Sequence, residues 1–435
     1  MISEPLALVC TCEIAGRVRG KGFPVSDTPA RLTSGVGWVP TNTMISALGP
    51  IADTPFGATG DLILVPDPAT ELHVDFEDGS EPEHWYLGDI RTTAGDPWEC
   101  CPRHFLYRAL ETLRQEAGLE VYSAFEQEFV YTGVEDHPGA PYSLESFRRQ
   151  GHFGSSFVAA MRAAGLEPDS FLPEYGMRQY EVTISPALGI ASADNAIKVR
   201  EMARATASRF GHRAIFSPML DPYGTGNGVH IHISLRDSDG RPATYDPARP
   251  YAFTPAAEAF FAGIAAHVRA LAAVTAPSPV SYLRLTPNRW APTWGYVADR
   301  DREASLRICP LLDLPGVDQA KQFNVEFRPA DAAASPWLAL GAVVWAGVDG
   351  IRKGMTLPAP RDVAALDAEA RRVAGIAELP HSLGEALDCL EAVPEAQDWF
   401  GPVYLDAYLR HKRAELGLVA DLTPEELCER YANSY

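Results

Sequence analysis

The segment "GNGVHIHISL" (226–235) decides the fold expected for this chain. Its apolar residues alternate with His230, His232 and Ser234, which is the pattern of a β-strand with one buried face. Successive side chains of a strand point to opposite faces, so both imidazoles lie on the same face. A lone His-x-His pair is more often structural than metal-binding. The pair therefore becomes a candidate metal site only if acidic residues join it.

Acidic residues occur in three further strand-like segments. "AFEQEF" (124–129) directs Glu126 and Glu128 to one face, "PEYGMRQYEV" (173–182) carries Glu174 and Glu181 around a turn, and "NVEFRPAD" (324–331) carries Glu326. One such pair is usually a solvated face. In half-buried strands, however, several like charges repel and need cations nearby. A carboxylate-rich set with one histidine favours Mg²⁺ or Mn²⁺ over zinc.

Four arginines accompany these acids. Arg302 and Arg307 flank the apolar pattern of "DREASLRICP" (301–310), Arg284 lies in "SYLRLTPNRWAP" (281–292), and Arg328 follows Glu326 by two positions. Arginines are usually surface charges. Near a carboxylate and metal centre, however, they suit a substrate that bears carboxylates and phosphates.

The composition limits the class of protein. With 435 residues the chain exceeds the usual size of one core, and its net charge of -20 argues against nucleic acid as a partner. Seven cysteines without a CxxC pair indicate reduced thiols and a cytoplasmic protein. The N-terminal residues do not resemble a signal peptide. The longest apolar stretch, "AAASPWLALGAVVWAGV" (332–348), contains a proline and predicts a buried helix rather than a membrane span.

The distribution of strand and helix patterns predicts an α+β protein. Short strands occupy the first 76 residues, and residues 81–103 read as a loop that contains a domain boundary. Beyond it, helical patterns at 106–117, 192–211, 254–275 and 335–351 alternate with strands at 120–133 and 227–235, and amphipathic helices follow residue 359. The order lacks a strict βαβ rhythm, so a doubly wound parallel sheet is not expected.

Taken in order, these segments resemble the glutamine synthetase family, and specifically its branch that makes γ-glutamyl amides. The resemblance runs from Trp98 to Ile351 and includes "VEFRPADAAASPWLALGAVVWAGVDGI" (325–351). It implies a β-grasp-like domain at 1–97 and, at 98–435, a catalytic domain with a curved antiparallel sheet flanked by helices. It also implies a homo-oligomer, a double ring (dodecamer) whose active sites are shared between neighbouring subunits.

The resemblance also implies roles for individual residues. Glu128, Glu174 and Glu181 would hold one divalent cation, and Glu126, His230 and Glu326 a second, with two or three cations in each site. The remaining assignments place His232, Ser234 and Arg307 at ATP, Gly226, Gly228, Arg284 and Arg328 at L-glutamate, and Arg302 at the transferring phosphoryl group. ATP would phosphorylate the γ-carboxylate, and an amine would then displace phosphate.

Three positions depart from the ammonia-using members. Trp290 occupies the position of a flap glutamate that holds ammonium, and an indole offers only one N–H donor. The stretch expected to carry an ammonium-binding aspartate has Gly49 near that position and Asp53 as its acid. Asn324 replaces an arginine that contacts ATP, and Lys321 is the candidate substitute.

These departures lead us to expect an ATP-dependent ligase that joins glutamate to an alkyl or aromatic amine. Two alternatives stay open: an ordinary glutamine synthetase that uses ammonium, and a non-catalytic relative that keeps the fold. A metal-dependent hydrolase built on carboxylates would lack the arginine series and would work without ATP.

Overall fold

The structure is a computed structural model that describes residues 2–57, 60–287, 289–359 and 362–435. Within these ranges the strands form two sheets, a small one near the N-terminus and a larger one that carries the predicted site residues. The small sheet ends at Thr92, and the first long helix begins at Pro102.

The small sheet has six described strands in the order β2-β1-β6-β4-β3, with β5 also paired to β6. Strands β1 and β6 run parallel, and the other pairs are antiparallel. The bounds of the strands are β1 (Leu6–Cys12), β2 (Val18–Pro24), β3 (Val36–Trp38), β4 (Leu62–Pro66), β5 (Leu72–Val74) and β6 (Glu83–Thr92).

Strand β6 corrects the prediction of a loop at 81–103. Four consecutive residues of this strand, Trp85 to Gly88, are buried, so the alternation that marks a half-exposed strand is missing. The strand pairs with β1, β4 and β5 and is central to its sheet. A central strand buried on both faces loses the period of two on which the sequence argument depended.

The large sheet has ten described strands in the order β16-β13-β14-β15-β12-β7-β9-β8, and β10 and β11 also pair with β7. Strands β13 and β14 run parallel, whereas the other pairs are antiparallel. Strand β15 lies between β12 and β14, which both precede it in the chain. The bounds are β7 (Leu119–Tyr131), β8 (Pro168–Pro173), β9 (Gln179–Ile184), β10 (Ala187–Leu188), β11 (Ala214–Ile215), β12 (Val229–Asp237), β13 (Trp294–Asp299), β14 (Ala304–Ile308), β15 (Val325–Phe327) and β16 (Ala377–Glu378).

Helices flank the large sheet, and the predicted helical segments all fall on observed ones. The helices are α1 (Thr28–Ser34), α2 (Pro102–Ala117), α3 (Leu144–Arg149), α4 (Phe153–Ala163), α5 (Ile190–Arg209), α6 (Pro255–Thr275), α7 (Ser281–Arg284), α8 (Gln319–Gln322), α9 (Pro336–Lys353), α10 (Ala368–Val373), α11 (Leu383–Glu391), α12 (Glu395–Phe400), α13 (Pro402–Leu418) and α14 (Pro424–Ala432). Thr254 caps α6 by accepting a hydrogen bond from the Ala257 amide. The α+β prediction is confirmed.

The core helices α6 and α9 approach each other closely through glycines. A Cβ atom at Gly350 would lie 2.1 Å from the Ala259 carbonyl oxygen and 2.7 Å from the Gly263 Cα atom. Only glycine permits this contact between the two backbones. Helix α6 is long and apolar enough to cross a membrane, but 78% of its most apolar window is buried inside the protein. Such burial is typical of a core helix.

Candidate active site

The register of five neighbouring strands brings the predicted site residues together on one face of the large sheet. His230 on β12 lies opposite Glu126 on β7, and His232 lies opposite Glu326 on β15. Arg307 on β14 lies opposite Glu326 from the other side. These strands are adjacent in the sheet, so their side chains meet directly. We call Glu126, His230, His232, Glu326 and Arg307 the row.

Glu126 lies between the two histidines. Its Oε1 atom is 2.7 Å from His230 Nδ1, and its Oε2 atom is 3.3 Å from His232 Nε2. Burial opposes charge on Glu126, but the hydrogen bonds from both imidazoles outweigh it and hold the pKa of this carboxyl well below its usual value. Glu126 is therefore an anion in direct contact with both rings.

Two more carboxylates lie beyond Glu126 and do not share its stabilisation. Glu128 faces Glu181 across the β7–β9 pair, and it accepts hydrogen bonds from the Gly228 amide at 2.8 Å and from Gln179 at 3.0 Å. Burial raises the pKa of Glu128. Burial, together with the charges of Glu126 and Glu128, raises the pKa of Glu181 to about 10. This part of the site carries more buried acid than its own side chains neutralise.

The arginines neutralise the other end of the row. Arg307 Nη1 lies 2.8 Å from Glu326 Oε2, and Arg328 Nη1 donates a short hydrogen bond to Glu326 Oε1. Although burial opposes its charge, Glu326 has a lowered pKa because His230 and Arg328 stabilise the anion. Glu326 is thus held between two guanidinium groups and a histidine.

Two groups of donor atoms at this site are close enough together to be candidate metal ligands. Ligand atoms of Glu126, Glu128 and His230 lie within 4.8 Å of one another, and so do those of Glu126, His232 and Glu326. The mainly oxygen donor set and the excess of buried carboxylates both fit Mg²⁺ or Mn²⁺. The grouping differs from the expected one because the register places His232 opposite Glu326, and its Nε2 atom lies 3.3 Å from Glu126 Oε2.

Neither group includes Glu174 or Glu181 among the residues that the structure describes. Glu174 lies in the turn between β8 and β9, where Tyr142 Oη donates to its carboxylate at 2.9 Å and the Tyr175 amide donates as well. Both acids stay predicted cation ligands, and the structure puts Glu181 nearer to the row than Glu174.

Arg284 and the glycine segment (226–228) lie together beside His230. The Arg284 Nη2 atom donates to the carbonyls of Pro329 at 2.7 Å and Ala330 at 2.8 Å. A Cβ atom at Gly226 would lie 2.6 Å from the Arg284 side chain, and one at Gly228 would lie 3.1 Å from His230 Nε2. The absence of side chains at these glycines lets the loop pass close to Arg284 and His230, and their contact with L-glutamate stays a prediction.

Trp290 lies at the edge of this site with an unusual backbone. Its φ of 52° is in the left-handed region, which bulky side chains rarely adopt. Arg328 Nη2 donates to its carbonyl at 3.0 Å. Trp290 is 51% exposed, and the centroid of its ring lies 5.1 Å from that of Tyr175. The indole is therefore accessible to a small molecule. Arg302 is exposed, and its carbonyl accepts from Arg328 Nε at 3.0 Å.

A cavity of about 460 Å³ opens beside the row and is large enough for a small ligand. Several residues predicted to contact ATP or a cation line it: Glu126, Glu181, His232, Ser234, Lys321 and Asn324. Asn324 Oδ1 accepts from His232 Nδ1 at 2.9 Å and so orients the ring that also contacts Glu126. A larger cavity of about 840 Å³ near Tyr245 and Leu311 contains none of the predicted site residues.

Comparison with known proteins identifies the family of the chain. The model of the glutamine synthetase catalytic domain matches residues 99–431, and that of the glutamine synthetase N-terminal domain matches residues 3–98. The chain belongs to the glutamine synthetase family. It is accordingly a ligase that forms carbon–nitrogen bonds, in a family that uses ATP and divalent metals.

Individual relatives of this glutamine synthetase family member differ in the activity that their names record. It is 31% identical to the "Gamma-glutamylpolyamine synthetase GlnA3" of Streptomyces coelicolor, and the alignment covers 97% of this chain and 92% of the relative. It is 29% identical to a glutamine synthetase of Methanocaldococcus jannaschii over 82% of this chain and 79% of that one. A crystal structure of a "novel glutamine synthase homolog" superposes with a TM-score of 0.93 at 40% identity, over 100% and 99% of the two chains.

The stretch expected to supply an ammonium-binding acid in this family lies apart from the row. Asp53 is exposed and pairs with Arg410 of α13 at 2.9 Å. Gly49 has a φ of 106° and open space where a Cβ atom would be. Within the described residues, neither position contributes to the site of its own chain.

Sequence reasoning missed three residues of the site. Gln179 donates to Glu128, to the Gly226 carbonyl and to Asn227, and so links β9 to the glycine segment. Gln179 lies in the segment "PEYGMRQYEV" (173–182). Its place between two glutamates was the only feature of the sequence that could have indicated a role in the site. Tyr142 and Tyr175 lie in irregular segments whose contacts no periodic pattern reveals.

Proposed function

We propose that this chain joins the γ-carboxylate of L-glutamate to an organic amine, alkyl or aromatic, in an ATP-dependent reaction. The observation that carries the proposal is the combination of a complete acid, histidine and arginine row with an exposed indole at the flap. The row supports activation of glutamate. The indole supports an acceptor other than ammonium.

The proposed reaction has two steps. The γ-carboxylate oxygen of glutamate attacks the terminal phosphorus of ATP, and ADP leaves as γ-glutamyl phosphate forms. The amine nitrogen then attacks the acyl carbon, the C–O bond to phosphate breaks, and the amine loses a proton as the amide forms. Bound Mg²⁺ or Mn²⁺ supplies charge neutralisation for the phosphates. Each anion in this sequence needs a positive partner near it.

The chain's own residues support this assignment of charge. Arg307 and Arg328 are held on Glu326, and Arg302 is exposed nearby, so cationic groups border the region between the nucleotide cavity and the glycine segment. We assign Arg302 to the transferring phosphoryl group, and Arg284 and Arg328 to the glutamate carboxylates. His232, Ser234 and Lys321 line the cavity that we assign to ATP.

The acceptor end supports an amine with an apolar body. Trp290 and Tyr175 form a pair of half-exposed rings whose planes are tilted by 56°. Apolar or aromatic substituents gain contact area against such rings, and a cationic amine gains attraction to their faces. Ammonium has no body to pack against them. An organic amine therefore packs against the indole, whereas the flap offers ammonium no carboxylate to bind it.

The similarity to a γ-glutamylpolyamine synthetase favours a second candidate within the same class, a polyamine acceptor. An ordinary glutamine synthetase has less support, since it would need ammonium recognition without a flap carboxylate. A non-catalytic relative would be expected to lose cation ligands, whereas all six candidate residues are present. We further propose a ring-shaped homo-oligomer, in which a neighbouring subunit completes the acceptor end.

A panel assay tests the proposal. Purified protein receives Mg-ATP, glutamate and one amine at a time: ammonium, methylamine, isopropylamine, ethanolamine, putrescine or aniline. Phosphate release is measured together with mass spectrometry of the amide. The proposal predicts that a monoamine gives the highest kcat/KM. Preference for putrescine would favour the polyamine candidate, and preference for ammonium would overturn the proposal.

A further inference from the structure

Arg289, the residue before Trp290, joins the flap to a distant loop. Its Nη2 atom donates to the Pro222 carbonyl at 2.7 Å, and its Nη1 atom donates to the Gly224 carbonyl at 2.9 Å. The guanidinium group also lies 3.9 Å from the Met219 sulfur and is half-buried. Two charge-assisted bonds to carbonyls two residues apart in one loop fix the orientation of a planar donor.

The loop that Arg289 contacts is itself firmly held. Asn227 donates from its backbone to the Pro218 carbonyl at 2.9 Å and from its side chain to the Ser217 carbonyl at 2.8 Å. Tyr223 Oη donates to Glu425 of α14 at 3.0 Å. The same loop continues into Gly226 and Gly228, which pass over Arg284. Arg289 is therefore anchored on a rigid segment at the glutamate end of the site.

Trp290 needs such an anchor because of its backbone. A left-handed φ at a tryptophan is strained and persists only when surrounding contacts hold it. Arg328 donates to the Trp290 carbonyl, and the side chain of Arg289, the residue before Trp290, is bonded to the Pro222 and Gly224 carbonyls. The two arginines thus fix the flap at successive residues and direct the indole toward Tyr175.

We propose that Arg289 is a positioning residue that sets acceptor specificity by fixing the flap on the glutamate-binding loop. It acts through Trp290 and does not itself touch a substrate. The inference rests on the proposed function, because it assigns the indole to the acceptor end. It adds that the indole is effective only in one backbone conformation, and that this conformation depends on the guanidinium group of Arg289.

The test compares Arg289→Ala and Arg289→Lys with a matched control, Arg241→Ala. Arg241 is an exposed arginine in the turn after β12, paired with Asp239 at 2.9 Å, and its loss removes the same charge. The measured quantity is the ratio of kcat/KM for the preferred amine to that for the next best. This ratio does not depend on the fraction of folded protein, so a merely structural defect leaves it unchanged.

Arg289→Ala is expected to lower this ratio about tenfold, because a small displacement of a positioned group has a large kinetic effect. It should also increase the share of ATP hydrolysed without amide formation, since a loosened flap admits water to the acyl phosphate. Lysine can donate to one carbonyl and should restore part of the ratio. Arg241→Ala should match the wild type.

A double-mutant cycle tests whether Arg289 acts through Trp290. In a Trp290→Ala background, Arg289→Ala should change the ratio little, because the indole it positions is gone. An unchanged ratio in Arg289→Ala, or an additive effect in the double variant, would overturn the inference. A wild type that prefers ammonium would overturn the proposed function instead, while the ratio still reports on Arg289.

Discussion

At the scale of single residues, the site separates charges that are balanced from charges that are not. Glu126 and Glu326 have lowered pKa values because histidines and arginines stabilise their anions, although burial opposes them. Glu128 and Glu181 have raised pKa values because burial and neighbouring carboxylates disfavour theirs. Glu128 and Glu181 are therefore the carboxyl groups that lack positive partners, and a bound cation would stabilise their anions most.

Trp290→Glu should increase the preference for ammonium over the best organic amine, by roughly tenfold. The new carboxylate would attract a small cation and would remove the ring that packs against an apolar substituent. Steady-state kinetics with both acceptors measures the change. Trp290→Phe is the control, since it keeps an aromatic ring and adds no charge. Equal preference in the Glu and Phe variants would separate Trp290 from acceptor choice.

The residues of the site divide into those that the sequence predicts and those that it does not. Glu126, His230, Glu326 and Arg307 were predictable because each lies in a strand whose alternation fixes its face. Arg289 was not, because its partners are backbone carbonyls of a loop more than sixty positions away. Contacts of this kind depend on loop conformation, which side-chain patterns do not encode.

At the scale of elements, the contact between α6 and α9 depends on the absence of two side chains. Gly350→Ala should lower the free energy of unfolding by about 1–3 kcal/mol, because its Cβ atom would meet the Ala259 carbonyl oxygen at 2.1 Å. Chemical denaturation measures the loss. Gly417→Ala in α13 is the matched control, since the space around it is open, and helix propensity predicts a gain of up to about 1 kcal/mol. Equal effects of the two substitutions would contradict the close approach of the helices.

Helix α13 should make stability depend on pH through His411. This buried ring contacts the Ile45 carbonyl at 3.3 Å, and burial together with the charge of Lys412 lowers its pKa to about 3 from an ordinary 6.5. Between these values the unfolded chain binds more protons than the folded one. The free energy of unfolding should therefore fall as the pH drops below about 6.5, with a slope approaching 1.4 kcal/mol per pH unit.

Denaturation of wild type and His411→Gln at pH 7 and pH 5 measures this contribution. Glutamine can still donate to the Ile45 carbonyl and cannot become charged, so its stability should decline less between the two values. The exposed His381 provides the control, because His381→Gln should keep the wild-type slope. Identical slopes in all three proteins would assign the acid sensitivity to other groups.

At the scale of the whole molecule, divalent cations should stabilise the fold. Mg²⁺ or Mn²⁺ binds the clustered carboxylates of the native state and not the dispersed ones of the unfolded chain, so added metal should raise the melting temperature and chelation should lower it. Differential scanning calorimetry with metal or EDTA measures both changes. Glu126→Gln should reduce the shift, since both donor groups share Glu126. The exposed Glu369 is the control position, and an equal shift in Glu126→Gln and Glu369→Gln would argue against this site.

The class of the fold was predictable at this scale, and the topology was not. Six ordered motifs were sufficient to indicate the family. The central strand of the small sheet, β6, was read as a loop because burial on both faces removed its alternation. The position of β15 between β12 and β14 likewise follows from pairing partners, which a single sequence does not specify.

That position of β15 has a consequence for synthesis of the chain. The ribosome synthesises β12 and β14 before β15, yet these two strands meet only through it. A nascent chain that ends before Val325 therefore leaves two strand edges unpaired in the middle of the sheet. Such edges are templates for aggregation. Chaperone protection during elongation, and the insolubility of fragments truncated before this strand, are the expected results of joining β12 to β14 only through β15.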